Sequence, residues 1–314
     1  MSGPVTTEDA APATAPTTAA GGPVVEVAAG RVAEVGPLTV QRVLPQRRRR
    51  TVGAWCFADH MGPIAVRAPD AVGIGPHPHI GLQTVTWLLA GELLHRDSLG
   101  SEQLIRPGQL NLMTAGHGVA HAEEDPGRAN RLHGMQLWVA QPEATRDGPP
   151  AFEHHEALPQ VELHGAGATI LVGDFAGNVS PARRDTEHVG VELTFRGAMA
   201  TVPLRRGYEY ALTVLEGRIA VEGTVVDPGL LTYLGTGRDE VHVETDDAAR
   251  VLLLGGLPFP ERLLMWWNFV ARTPEEIVAA TTAWQTGEFG PVGGYQGDPL
   301  PAPPLNAARL RPPQ

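Results

Sequence analysis

The chain has 314 residues, 24 basic and 35 acidic side chains and a net charge of −11, and 42% of it is hydrophobic. Every basic residue is an arginine, which excludes a lysine Schiff base, a P-loop lysine and a lysine general base, and the acidic balance argues against electrostatic capture of nucleic acid. One cysteine, Cys56, excludes an internal disulfide and a cysteine-rich zinc site, while 37 glycines and 29 prolines favour many short strands over long helices.

Residues 1–24 are rich in Ala, Thr, Pro and Gly and too poor in large apolar side chains to offset their ordering entropy, so a disordered tail is expected there. The start lacks a basic segment followed by an apolar run, and no apolar stretch approaches the roughly 20 residues that cross a bilayer, so the expectation is a cytoplasmic protein with no membrane contact. Residues 25–142 form a first β module: Leu38 and Val40 alternate with Thr39 and Gln41, and Val85 and Trp87 with Thr84 and Thr86, between glycine and proline breaks. Arg47 to Arg50 read as a solvated loop in that module. A polar, acidic stretch at 143–159 is the expected connection to a second module at 160–295, and 296–314 an irregular strap.

The two modules repeat each other. Leu88 to Leu93 matches Val214 to Ile219 at an offset of 126, and Pro107-Gly108 followed by an apolar strand and Gly116 matches Pro228-Gly229, a strand and Gly237 at an offset of 121. An antiparallel barrel suits this order, because closing the sheet removes its edges. One helix is expected near the end, opened by the cap Thr273, the first-turn Pro274 and the capping-box residue Glu276, and running to about Thr286. Ile277, Ala280, Thr281 and Trp284 share a face that packs on a barrel.

Seven of the twelve histidines lie within residues 60–133. His77-Pro78-His79 places two imidazoles on one face of an extended strand, with Pro78 stiffening the backbone. His121-Ala122-Glu123 repeats that geometry with one imidazole and one carboxylate, and strand alternation selects Glu123 over Glu124. Three nitrogens and one oxygen suit a divalent transition metal, and the mixed set together with metal availability points to iron(II). His95, His117 and His133 fall outside this ligand set. The second module has Pro203 and Arg205 where the His77/His79 pair would stand, so it lacks a matching site, although His242 and Glu244 match His121 and Glu123 by offset.

The runs Gly75 to Thr86, His95 to Ser98, Arg106 to Gly108, Met113 to Gly116 and His121 to Glu123, with Asp59 to Pro63 and Trp266 to Val270, resemble the pirins over about residues 30 to 295. The resemblance implies a bicupin: an all-β chain of two tandem cupin modules, with iron held in the N-terminal one by His77, His79, His121 and Glu123. It departs from the family at Gln83, where a carboxylate is common, and at Ile80, where arginine is common. By similarity to pirins with quercetinase activity, it implies a monomeric dioxygenase acting with dioxygen on a flavonol-like enol, with Glu123 as the catalytic base. By similarity to animal pirins, it implies instead a non-enzymatic metal-binding redox sensor with a protein partner. Met61, Met113 and Trp138 read first as barrel core and second as pocket wall.

Overall fold

A computed structural model describes residues 23–66, 73–128 and 130–305. Residues 1–22 of the expected tail and 306–314 of the expected strap lie outside the described residues.

The chain begins with twelve strands: β1 (Glu26–Ala29), β2 (Arg31–Val35), β3 (Leu38–Leu44), β4 (Trp55–Ala65), β5 (Ile74–His79), β6 (Leu82–Ala90), β7 (Leu93–Asp97), β8 (Glu102–Ile105), β9 (Leu110–Thr114), β10 (Val119–Glu124), β11 (Arg131–Ala140) and β12 (Ala151–His155). β2 to β12 pair antiparallel into a seven-stranded sheet of order β12-β9-β6-β11-β4-β3-β2 and a four-stranded sheet of order β5-β10-β7-β8. The second half repeats this division with a seven-stranded and a four-stranded sheet of its own. The β-rich architecture of two tandem antiparallel modules follows, as the internal repeat implies.

Two strands cross the expected boundaries. β1, from the stretch assigned to the first module, pairs with Leu230–Gly235 of the second module's large sheet. β12, from the stretch assigned to the connection, pairs with β9 and completes the first module's large sheet. Each covers the equivalent outer strand of its sheet, which would otherwise present an unpaired row of backbone groups. Neither segment alternates strongly enough to reveal its partner from sequence.

The two large sheets pack back to back. One apolar cluster joins Trp55, Leu82, Trp87 and Leu112 of the first module to Leu171, Leu231, Leu252 and Leu254 of the second. Polar contacts fix the register of this contact: Trp55 Nε1 donates to the Val189 carbonyl at 3.0 Å, Trp87 Nε1 to Glu192 at 3.0 Å, and the Gly53 amide to Glu209 at 2.7 Å. The second module's interior is filled by apolar side chains such as Val191, Leu212, Val243 and Leu253. That filling leaves its barrel as scaffold.

The one helix among the described residues, α1 (Pro274–Gln285), starts as its sequence predicts: the Thr273 side chain accepts from the Glu276 amide, with Pro274 in the first turn. Ile277 and Ala280 are buried with Phe269, Trp267 and Ala271, against which Trp284 also packs. This packing anchors a short hairpin, Leu264–Trp266 and Phe269–Ala271, whose tip reaches the first barrel. Gly81 permits the approach, since its φ is +67° and a side-chain carbon there would sit 2.1 Å from the Val270 carbonyl oxygen.

Candidate metal centre

β5 and β10 pair so that His77 lies directly opposite His121, which puts both imidazoles on the same face of the small sheet. His79 follows His77 by two residues on extended backbone and shares that face. The ring centroids of His77 and His121 are 4.4 Å apart, and His79 Nε2 lies 3.1 Å from His121 Nε2. One ligand nitrogen from each of the three histidines falls within 4.8 Å of the others. All three rings are buried.

Each ring is held from behind through Nδ1. His77 Nδ1 lies 2.9 Å from the Gly75 carbonyl, His79 Nδ1 2.9 Å from the Asn268 carbonyl, and His121 Nδ1 3.4 Å from His95 Nδ1. Held this way, the rings turn their Nε2 atoms toward one another. Burial pushes the His79 imidazole down to about 3; burial, reinforced by the neighbouring histidines, also holds His77 and His121 well below their ordinary value. The three rings are therefore neutral at physiological pH, the form that binds a metal.

Glu123 stands beside the triad and outside its 4.8 Å cluster. The cause is a shift of register: His121 opposes His77 but Glu123 opposes Ile74, so three steps along β5 match two along β10. The carboxyl still lines the same cavity as the three histidines, and its Oε1 accepts from the Thr86 hydroxyl at 3.2 Å. Burial raises the Glu123 carboxyl above its ordinary value. Gln83 takes no part: its amide donates to Thr114 Oγ1 at 3.0 Å and does not line the cavity.

The cavity opens between the two sheets of the first module. The empty space at it, counted out through the mouth and so including open solvent, is about 420 Å³. Phe57, Met61 and Trp138 form much of the apolar wall, with Phe57 and Trp138 stacked at 4.0 Å. Met113 is buried in the barrel core and lies outside the lining. One wall carries charge: Asp59 accepts two hydrogen bonds of 2.7 Å from Arg42, whose guanidinium lies over the Phe57 ring.

The other histidines sort by position. His117 is exposed, and His60 and His133 bond to each other through Nε2 atoms 2.8 Å apart, neither lining the cavity. In the second module Pro203 and Glu244 are exposed, Arg205 pairs with Asp174, and His242 is part-exposed between the buried Val241 and Val243. Among the described residues the only group of three clustered metal-ligating side chains is His77, His79 and His121.

Sequence reasoning placed His95 outside the ligand set, as a group facing solvent or supporting a ligand, and gave no role to Asn268, to Asp97 behind His95, or to Gln136 and Asp59 in the wall. The runs that contain Asn268, His95 and Asp59 were singled out by resemblance, but no spacing rule ties them to the histidines. Only the folded chain does.

The donor set, three neutral imidazoles with a carboxyl alongside in a cavity of mixed polar and apolar lining, suits a divalent transition metal. A family profile described as Pirin matches residues 37–139, and one described as the Pirin C-terminal cupin domain matches residues 191–290. A Pseudomonas aeruginosa protein provisionally named a quercetin 2,3-dioxygenase is 47% identical over 88% of this chain and 89% of its own length. A Caulobacter vibrioides pirin-like protein is 36% identical over 86% of this chain and 96% of its own. The crystal structure of a quercetin 2,3-dioxygenase from Acinetobacter baumannii superposes with a TM-score of 0.87 at 43% identity, over 90% of this chain and 96% of that one. No helix among the described residues is long and apolar enough to cross a membrane.

Proposed function

The chain belongs to the pirin family, and on that premise we propose that it is an iron-dependent dioxygenase of the quercetin 2,3-dioxygenase type, opening a flavonol-like enol with dioxygen. The observation that carries this reading is the convergence of His77, His79 and His121 in the lining of one open cavity that also carries Phe57, Met61 and Trp138. The names of the Pseudomonas and Acinetobacter relatives support the substrate class. We place the work in the cytoplasm, in keeping with a single buried thiol and no disulfide, and take the chain to act as a monomer.

His77, His79, His121 and Glu123 hold the iron(II) in this reading. Once bound, the ion would supply Lewis acidity and one-electron chemistry at this point. The remaining work belongs to the chain. Phe57, Met61 and Trp138 receive the flat apolar face of the substrate and exclude water from it. Glu123 takes the enol proton; burial raises its carboxyl above the ordinary value, the direction that favours accepting a proton, and the Thr86 hydroxyl donates to it at 3.2 Å. Arg42 keeps the Asp59 charge paired, so the wall presents no bare anion to the substrate oxygens.

The test begins with the metal content of the purified protein, followed by oxygen uptake and flavonol absorbance for the native chain and for His79→Ala. The expected result is turnover by the iron-loaded native chain and none by the variant. Fully iron-loaded native protein that consumes no oxygen with several enol substrates overturns the enzyme and leaves the redox sensor.

A further inference from the structure

We propose that His95 and Asp97 are positioning residues of the metal centre: together they hold His121 in the tautomer that leaves its Nε2 free for the ion. The proposal rests on the metal-centre part of the functional reading and is independent of the substrate.

The argument is a count of protons. The Asp97 carboxylate only accepts, and its Oδ1 already takes the Leu99 and Ser101 amides at 2.9 Å each. Its Oδ2 lies 3.0 Å from His95 Nε2, so that nitrogen carries a hydrogen. The proposal takes His95 as the neutral imidazole, with one N–H and one lone pair, so that its Nδ1 offers a lone pair. That atom lies 3.4 Å from His121 Nδ1, which must therefore be the donor. His121 is left with a bare Nε2, the atom 3.1 Å from His79 Nε2 at the centre.

The pair is built to stay in place. β10 pairs with β7 so that His121 lies opposite Asp97 and Glu123 opposite His95. The His95 ring is buried and stacks on Phe152 of β12 at 4.3 Å and 12°. His77 and His79 differ, because each is oriented by a backbone carbonyl that no side-chain replacement removes. His121 alone has an orienter that mutation can reverse, and hydrogen bonding through His95 to a buried carboxylate also makes His121 a stronger donor to a metal.

Asp97→Asn tests this by inversion. The new amide keeps an oxygen for the two backbone N–H groups and turns its NH₂ toward His95 Nε2. His95 must then carry its hydrogen on Nδ1, and His121 must move its own to Nε2, where the metal would bind. In the metal-free protein, long-range ¹H–¹⁵N spectra should show His121 protonated at Nδ1 in the native chain and at Nε2 in Asp97→Asn. By chelator competition, Co(II) affinity should fall about 10–100-fold, with a changed visible spectrum. His95→Gln, whose amide oxygen and nitrogen preserve the order of acceptor and donor, should retain most of the affinity that His95→Leu loses.

Asp97→Asn with native tautomers and native Co(II) affinity overturns the proposal. Should that variant fail to fold, the His95 pair decides, and equal Co(II) affinity of the Gln and Leu variants overturns it. A native chain that takes up no Co(II) overturns the metal centre and the proposal together, whereas native uptake with indifferent variants overturns the positioning alone.

Discussion

The backbone carbonyl of Asn268 accepts from Nδ1 of His79 at 2.9 Å, across 189 positions of sequence. A ring of the metal centre in the first barrel is thus aimed by a hairpin that follows the second barrel. The hairpin is held in turn by Phe269, fully buried against α1.

Phe269→Ala should therefore do more than destabilise. Loss of a buried phenylalanine costs about 3–5 kcal/mol, read as a lower urea midpoint. The variant that remains folded should also bind Co(II) more weakly, because the Asn268 carbonyl no longer sits at a fixed height behind His79. A variant with the full stability loss and unchanged affinity would show that the hairpin only braces the fold.

Glu123→Gln separates the carboxylate from the triad. If Glu123 is the fourth ligand, iron affinity drops more than about ten-fold, and turnover falls further because the amide cannot take the enol proton. Gln83→Glu should bring no gain in affinity, since residue 83 faces Thr114 and not the cavity. Equilibrium dialysis with iron(II) under anaerobic conditions measures both.

Acid should unfold the metal-free protein through its buried histidines. Burial lowers His60 to about 4, His79 to about 3 and His188 to about 4, against an ordinary 6.5 in the unfolded chain. Between those values the unfolded state binds more protons, so stability is full above about pH 6.5 and is lost as the pH falls toward 4. His188 alone accounts for up to about 3 kcal/mol of that loss. Urea midpoints from pH 7.5 to 4 should fall, and added Co(II), which binds only neutral rings, should delay the fall. Midpoints flat across that range contradict the assignment.

Removing residues 1–30 deletes β1 and exposes the outer backbone of Leu230–Gly235. Removing residues 1–22 does not. The longer deletion should lower the melting temperature by about 2–4 °C for each kcal/mol of lost pairing and promote aggregation, whereas the shorter should change neither. Scanning calorimetry with light scattering compares them.

What could be read from the chain before folding was local or periodic. His77 and His79, two steps apart with a proline between, declare a shared face on any extended strand. The same alternation selects Glu123 over Glu124, and the repeat of Leu88–Leu93 by Val214–Ile219 reveals the second barrel. The rest depends on neighbours that no local pattern names. The Asn268 contact is made by backbone, which leaves no residue-type signature. His95 and Asp97 acquire their role only when β7 is laid beside β10, and Glu123 is set back from the triad by a register shift against β5. The edge strands β1 and β12 carry too little periodicity to announce which sheet they will join.

The alternation of β6 gives the second module a stake in the chemistry of the first. Thr86 faces inward and bonds the Glu123 carboxyl, while Trp87, the very next residue, faces outward and donates to Glu192 of the other barrel. One peptide unit separates the residue that bonds Glu123 from the residue that bonds the second module. The second module, which adds no clustered metal-ligating side chains among the described residues, thus bears on the surroundings of the histidine cluster through Glu192.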